Sequence, residues 1–453
     1  MCIRDRAKVA PYLTLDGRVY PAVVDGRVKW VVDGYTTSDA YPYSQMTDLG
    51  NATKDSTTVS SSTVSSLGSQ QANYIRNSVK ATVDAYDGSV DLYVWDQSDP
   101  VIKAWEKIFP GQYHQLSEIS GDLMSHLRYP ESLFKVQREL LSKYHVTSAN
   151  QYYSGEDFWQ TPVDPTESQS QQDQDILQPP YYLTLQTGGT KEPVFSLTST
   201  YIPAGQSTRE ILTGFLSVDS DAGNEKGKIG PNYGTIRLQE LPKDSNVPGP
   251  GQAQNNFNAN ADVSKELNLL QSGDTQVVRG NLLTLPLGGG LVYVQPVYVK
   301  SSGATSFPLL KKTLVAFGDQ VGFADTLDEA LDQVFGGDSG AAAGDAENVS
   351  GDGSSDSSNT GGQDASNQSG SDTSGDQSQS DGQSGTTDGK SDSGTSSGQS
   401  GTARSPELQQ ALNDAAQAMK DSQSAMKNGD WTAYGKAQQQ LEEALNKAIE
   451  LDK

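Results

Sequence analysis

The sequence predicts an α+β fold: β-meander and hairpin-rich mixed sheets with several packed helices, then a disordered acidic linker and a C-terminal antiparallel helical hairpin. Three observations predict it. Asp-Gly pairs recur between alternating apolar runs, at Asp16-Gly17, Asp25-Gly26, Asp33-Gly34 and Asp87-Gly88. Capped amphipathic segments cluster between groups of strand-like runs instead of alternating with them one by one. Residues 337–403 are almost wholly Gly, Ser, Asp, Gln, Asn and Thr, with Val349 the one large apolar residue.

Asp-Gly between apolar runs is a strong hairpin signal, because both central residues of a type I′ turn need φ > 0. The three pairs in "TLDGRVYPAVVDGRVKWVVDGYTTSDAYPYS" predict a chain reversal at each, a β-meander built on Leu13, Leu15, Val19, Val23, Val28, Trp30 and Val32. The fourth pair predicts a turn between Val79, Ala81, Val83 and Val90, Leu92, Val94. Helices follow. "DPVIKAWEKIFPG" has Asp99 as N-cap and Pro100 in the first turn. "SEISGDLMSHLRYP" predicts a short helix ending before Pro130. "PESLFKVQRELLSKYHV" places Leu133, Val136, Leu140, Leu141 and Tyr144 on one inward face. From about 179 to 317 "YYLTLQ", "PVFSLTSTYI", "ILTGFLSV", "GTIRLQEL", "NLLTLPL", "LVYVQPVYV" and "LKKTLVAFG" predict strands, with a glycine turn in "PLGGGLVYV". A helix over "ADVSKELNLLQSG", capped by Asp262, and another over "DTLDEALDQVFGG" interrupt and close this part.

The domain boundaries predicted are 1–336 for the folded region, with subdomains of about 1–165 and 166–336, then 337–403 for the linker and 404–453 for the hairpin. The linker carries eleven acidic residues against Lys390 alone. It has too little apolar surface to offset its ordering entropy. A Gly/Ser coil of that length reaches roughly 45 Å end to end. The hairpin, of "SPELQQALNDAAQAMKDSQSAMKNG" and "DWTAYGKAQQQLEEALNKAIELDK", is marginal alone. It is expected to need a partner, a second copy (a homo-oligomer) or the main body.

Composition excludes several classes. Formal charge is −24 and no basic stripe occurs, so no nucleic-acid partner is expected, and anionic lipid would be repelled. The one cysteine, Cys2, rules out an intrachain disulfide. No apolar run reaches the ~18–20 residues that cross a bilayer, and "MCIRDRAKVAPYL" lacks the apolar middle of a signal peptide. Taken alone the sequence reads as soluble.

Several stretches together resemble a known group. "APYLTLDGRVYPAVVDGRVKWVVDGYTTSDAYPYS", "NYIRNSVKATVDAYDGSVDLYVWD", "HLRYPESLFKVQRELLSKYHV", "QPPYYLTLQ", "VPGPGQAQNNF" and "NLLTLPLGGGLVYVQPVYV" are similar to uncharacterised protein family 0182 of bacterial membrane proteins. The resemblance runs from about residue 7 to 336. It implies membrane spans upstream and a large domain outside the membrane, of which this chain is the later part. It implies the membrane as a partner through those spans, and a place on the extracytoplasmic face. "MCIRD" departs from the family pattern, so an altered start is expected. The family brings no established reaction.

No catalytic, cofactor-binding or metal residue is assigned, and no cofactor is expected. His114, His126 and His145 lack ligand-like spacing. "DSDAGNEKG" offers Asp219, Asp221, Asn224 and Glu225 as oxygens, but Gly223 and Asn224 stand where a calcium loop needs a ligand and a glycine. Ser132 and Lys135 form an S-x-x-K without its companion motifs. The GGG at Gly288–Gly290 lacks the phosphate-loop lysine. The candidate ligand contacts are Asp33, Tyr35, Asp39, Tyr41 and Tyr43 in "VDGYTTSDAYPYS", with Trp95 and Asp96 in "YVWDQSDP". Tyrosine rings beside carboxylates hold sugars or peptides by stacking and by accepting hydroxyl or amide hydrogens. The plainer reading is that these tyrosines plug a sheet edge. The function expected is non-enzymatic binding or assembly in the cell envelope, with an envelope protein or glycan as partner. The alternatives are an envelope hydrolase or transferase using a carboxylate pair, and the soluble part of a transporter.

Overall fold

A computed structural model describes residues 9–340, apart from 62, 167–175, 206–209, 244–245, 272–273, 288 and 302–306, and the single positions 417, 420, 436, 439, 440 and 447. The chain divides into two units, Met1–Asp356 and Ser357–Lys453. Beyond Gly340 the linker lies outside the described residues, as does the 404–453 hairpin apart from those single positions, each helical and exposed.

The first unit is α+β. Its first sheet runs β1 (Thr14–Leu15), β3 (Arg27–Ser38), β6 (Tyr74–Asp84), β7 (Val90–Val94) and β8 (Tyr113–His114), with β2 (Tyr20–Val24) also on β3. A small pair joins β4 (Thr47–Asp48) to β5 (Gln71–Ala72). The second sheet runs β10 (Tyr181–Leu185), β11 (Val194–Pro203), β12 (Gly214–Asp219) and β13 (Ile236–Glu240), with β9 (Trp159–Gln160) on β11. The third runs β14 (Thr275–Arg279), β16 (Gly290–Ser301), β17 (Leu309–Phe317) and β18 (Gln320–Ala324), with β15 (Leu283–Leu287) on β16. Among the described ladders all are antiparallel except β7 with β8.

The Asp-Gly pairs divide in their roles. Asp25 (φ 49°) and Gly26 (φ 76°) make the two-residue turn of the β2–β3 hairpin, as expected. Asp87-Gly88 lies in the turn between β6 and β7, with Gly88 at φ 75°. The other two correct the meander. Asp33-Gly34 sits inside β3, where the strand continues to Ser38. Asp16 is buried, and its carboxylate accepts from Tyr35 Oη and from the Ser132 and Arg18 amides. That aspartate ties a loop to the core instead of reversing a hairpin, so β1 and β2 both pair with β3.

Asp99 caps the Pro100–Ile108 helix through the Val101 and Ile102 amides, as its sequence predicts. The Glu131–Tyr144 helix forms as expected, but Tyr144 is exposed; the buried face is carried by Leu133, Phe134 and Val136. The Ala261–Leu270 helix is capped by Asn260 and not by Asp262, because Asn260 Oδ1 reaches the Asp262 and Val263 amides. Several elements escape the pattern reading. The Pro250–Ala259 helix is too rich in Gln and Asn to show a stripe, and β14 is a run of only five residues.

The Glu131–Tyr144 helix joins the first two sheets. Its Leu133, Phe134 and Val136 share one core with Tyr35 of β3, Leu197 and Tyr201 of β11, and Leu216 and Val218 of β12. Burying such a set is the main favourable term in this part of the fold. The third sheet has cores of its own: Phe257, Val263 and Leu314 on one side, and Val315, Ala330 and Val334 on the other.

Candidate functional site

The site is built where β3 and β6 change register. Gly34 faces Val79 but Tyr35 faces Asn77, which leaves Ser78 without a cross-strand partner. Such a bulge re-aims side chains that strict alternation would send to opposite faces. Ile75, Arg76 and Asn77, which run into the bulge in regular register with Thr37, Thr36 and Tyr35, line one pocket of about 350 Å³. The Ser78 carbonyl also takes the Trp95 amide (2.8 Å), which sets Trp95 and Asp96 at the same place beyond the end of β7. Tyr129, with Leu133 and Gln137 one helical turn apart, supplies another wall. Ile229 and Tyr233, from the segment between β12 and β13, close it.

The walls are aromatic and the rim is polar. Trp95 meets Tyr233 edge-on at 5.3 Å between ring centres, and Tyr129 lies 5.7 Å from Tyr233. On the rim Arg76 pairs with Asp96 (2.5 Å) and donates to Ser98 Oγ (2.7 Å). The second Asp96 oxygen accepts from Ser98. Tyr129 donates to Gln137 Oε1 (2.9 Å), so the Gln137 amide nitrogen makes no hydrogen bond to a described residue. Asn77 Oδ1 is buried without a partner.

Beneath this lining lies a buried charge pair. Asp33 and Lys80 are direct cross-strand neighbours, and Lys80 Nζ sits 2.5 Å from Asp33 Oδ1. Lys80 is 0% exposed and Asp33 2%. The ammonium also donates to the Arg128 carbonyl (2.7 Å) and faces the rings of Trp95 (5.2 Å) and Tyr233 (5.9 Å). Burial lowers the Lys80 pKa, against the pull of Asp33. Burial, followed by the Asp33 charge, holds the Tyr233 phenol well above its usual range, so it stays a donor to the Arg128 carbonyl (3.2 Å). The Arg128 guanidinium is itself stacked on Tyr20 (3.9 Å) and Tyr182 (4.3 Å). These contacts fix the pocket's inner wall from behind.

The residues singled out in the sequence fall into three groups. Trp95 and Asp96 line the pocket. Asp33 and Tyr35 are buried behind it: Asp33 acts on Trp95 through Lys80, and Tyr35 faces Asn77 across the ladder while its hydroxyl donates to Asp16. Asp39, Tyr41 and Tyr43 stand apart on an exposed loop, where Tyr41 stacks on Tyr74 at 5.7 Å and Tyr43 holds a left-handed φ of 55°. Arg76, Asn77, Tyr129, Gln137, Ile229 and Tyr233 escaped the sequence reading. They lie on three separate segments, and only the bulge and the helix packing bring them together.

The motifs set aside earlier are engaged in structure. Lys135 Nζ bonds Glu131 (2.8 Å) and Asp55, and Ser132 is buried with its amide on Asp16. Asp219 pairs with Arg237, and Glu225 with Lys228 at 2.8 Å. Among the described residues no group of three or more His, Cys, Asp or Glu is arranged to hold a metal. No helix of the described residues is long and apolar enough to cross a membrane.

The Glu131 cluster gives a pH prediction. Burial raises the Glu131 carboxyl, but Lys135 and Arg18 outweigh it and leave its pKa lowered. A lowered carboxyl stabilises the fold above its unfolded pKa of ~4.3, and that contribution is lost as pH falls through the folded value. Glu131→Gln is therefore expected to lose about 1.5–3 kcal/mol at neutral pH, the range for hydrogen bonds to charged groups. Its urea midpoint should also fall less steeply than the parent's between pH 5 and 3; an unchanged slope would refute the assignment.

An α+β region of antiparallel sheets, with an aromatic-walled pocket at a bulge in the first sheet, is the class the fold and site define. The chain matches the model of the uncharacterised protein family UPF0182 over residues 2–270 and belongs to that family. It is 91% identical over 447 residues to a UPF0182 protein of Bifidobacterium longum, covering 99% of this chain and 40% of that one. The identity is 81% to a UPF0182 protein of Bifidobacterium adolescentis, over 98% of this chain and 40% of the relative. A UPF0182 protein of Paenarthrobacter aurescens is 54% identical, again over 98% and 40%. The chain thus spans 40% of the length of these relatives. No solved structure matches.

Proposed function

We propose that this chain is an extracytoplasmic part of a membrane-anchored envelope protein and that its role is non-enzymatic binding through the pocket at the β3–β6 bulge. The observation that carries the binding role is the pocket's composition: three aromatic side chains, an amide nitrogen with no hydrogen bond to a described residue and an ion-paired rim, held from behind by Lys80. Rings and a few fixed polar groups are what small-molecule and glycan sites need. Acid–base hydrolysis of a glycosidic bond would need two carboxyls flanking it. The lining supplies Asp96 alone, already tied to Arg76, so binding is the better reading.

The location rests on the resemblance to membrane proteins with a large outer domain. It is tested on whole cells making the full-length protein. A cysteine placed at Ser98, which lies at the pocket rim, is expected to react with a membrane-impermeant maleimide before lysis. Labelling seen only after lysis would overturn the extracytoplasmic assignment.

A further inference from the structure

We infer that the pocket's ligand is an uncharged pyranose unit of a glycan, and not a charged sugar; this rests on the binding role proposed above. The lining contains one cation and one anion, Arg76 and Asp96, and they neutralise each other at 2.5 Å. An acidic or basic ligand would have to displace one of them and leave its partner uncompensated. Lys80, behind the lining, is 0% exposed and bound to Asp33, so it is not available to a ligand, and Lys228 beside Ile229 is paired with Glu225. Neutral hydroxyls need no such exchange, since an ion pair left intact offers them guanidinium donors and carboxylate acceptors side by side.

A peptide strand is the competing occupant. Main-chain recognition uses an open strand edge. At the pocket β6 is paired with β3 alone over Ile75–Asn77, since its ladder with β7 begins at Val79, so one edge is open to a strand there. What the lining side chains present to a sugar is the half-buried Tyr233 ring, with Trp95 and Tyr129 only 6% and 8% exposed beside it, and the Gln137 amide as a hydroxyl donor.

Calorimetry on the 1–453 chain tests this with four probes: cellotriose, chitotriose, trigalacturonate and N-acetyl-trialanine amide. Saturable binding of cellotriose or chitotriose is expected, with trigalacturonate at least tenfold weaker. Arg76→Ala and Asp96→Asn, both on the partly exposed rim, should each weaken the neutral sugar at least tenfold. Unchanged circular dichroism would show that they fold. Trigalacturonate binding as tightly as the neutral sugars overturns the inference while leaving the binding role standing. So does peptide binding in place of sugar, or sugar binding that neither rim variant alters. Binding of none of the four refutes the inference. If [13C]methyl spectra of Ile75 and Ile229 also stay unmoved by an extract of envelope glycans and peptides, the binding role falls with it.

Discussion

Replacing Lys80 with methionine is expected to destabilise the fold by about 3–5 kcal/mol, the cost of breaking a buried ion pair from one side. The size follows from what would remain. Asp33 is 2% exposed, lies beside Asp16, and would lose its counter-ion. The Arg128 carbonyl would lose a donor. The cation facing the rings of Trp95 and Tyr233 would also vanish, loosening the pocket wall. Combining Lys80→Met with Asp33→Leu should recover most of the loss, because apolar replacement of both partners is often close to neutral. Urea denaturation of the two single variants and the double variant measures the coupling. A Lys80→Met chain within about 1 kcal/mol of the parent would contradict the burial described.

Phe134→Ala is expected to cost a similar amount, about 3–5 kcal/mol, through lost transfer energy and the cavity left behind. Phe134 is 0% exposed and belongs to the core that the first two sheets share across the Glu131–Tyr144 helix. Its removal should be felt on both sides. Amide exchange is expected to quicken in β3 and β6 and in β11 and β12 together, while β16 and β17, which rest on separate cores, keep their protection. Faster exchange confined to one of the two sheets would show that the helix does not couple them.

The parts of the fold that the sequence made legible are those governed by local chemistry. Asp25-Gly26 reads as a turn because a turn is all that its two left-handed residues require. Asp99-Pro100 and Gly336 mark helix ends for the same local reason. Asp33-Gly34 misleads because the dipeptide does not reveal whether the strand stops. Here Asp33 has a cross-strand lysine to pair with, and the strand runs on. Asp16 misleads because its partners, Tyr35 and Ser132, are 19 and 116 residues away in the chain. The site was half visible. Trp95 and Asp96 stood out as an aromatic beside an acid, whereas Arg76 gains its meaning only from the bulge at Ser78. Gln137 and Tyr233 gain theirs only from packing between distant segments.

The divergent fates of the Asp-Gly pairs bear on how the molecule ages. Isomerisation of aspartate needs the glycine nitrogen to swing onto the side-chain carboxyl, which takes a pliant backbone and open solvent. Asp25-Gly26 and Asp87-Gly88 occupy turns, where that swing is permitted. Asp33-Gly34 is clamped inside a ladder with its carboxylate held by an ammonium, and Asp16 is anchored by three donors. Within residues 9–340 the dipeptides that matter most to the interior are thus shielded from a chemical weakness they share with the other two there, and wear in that region should accumulate at the hairpin tips.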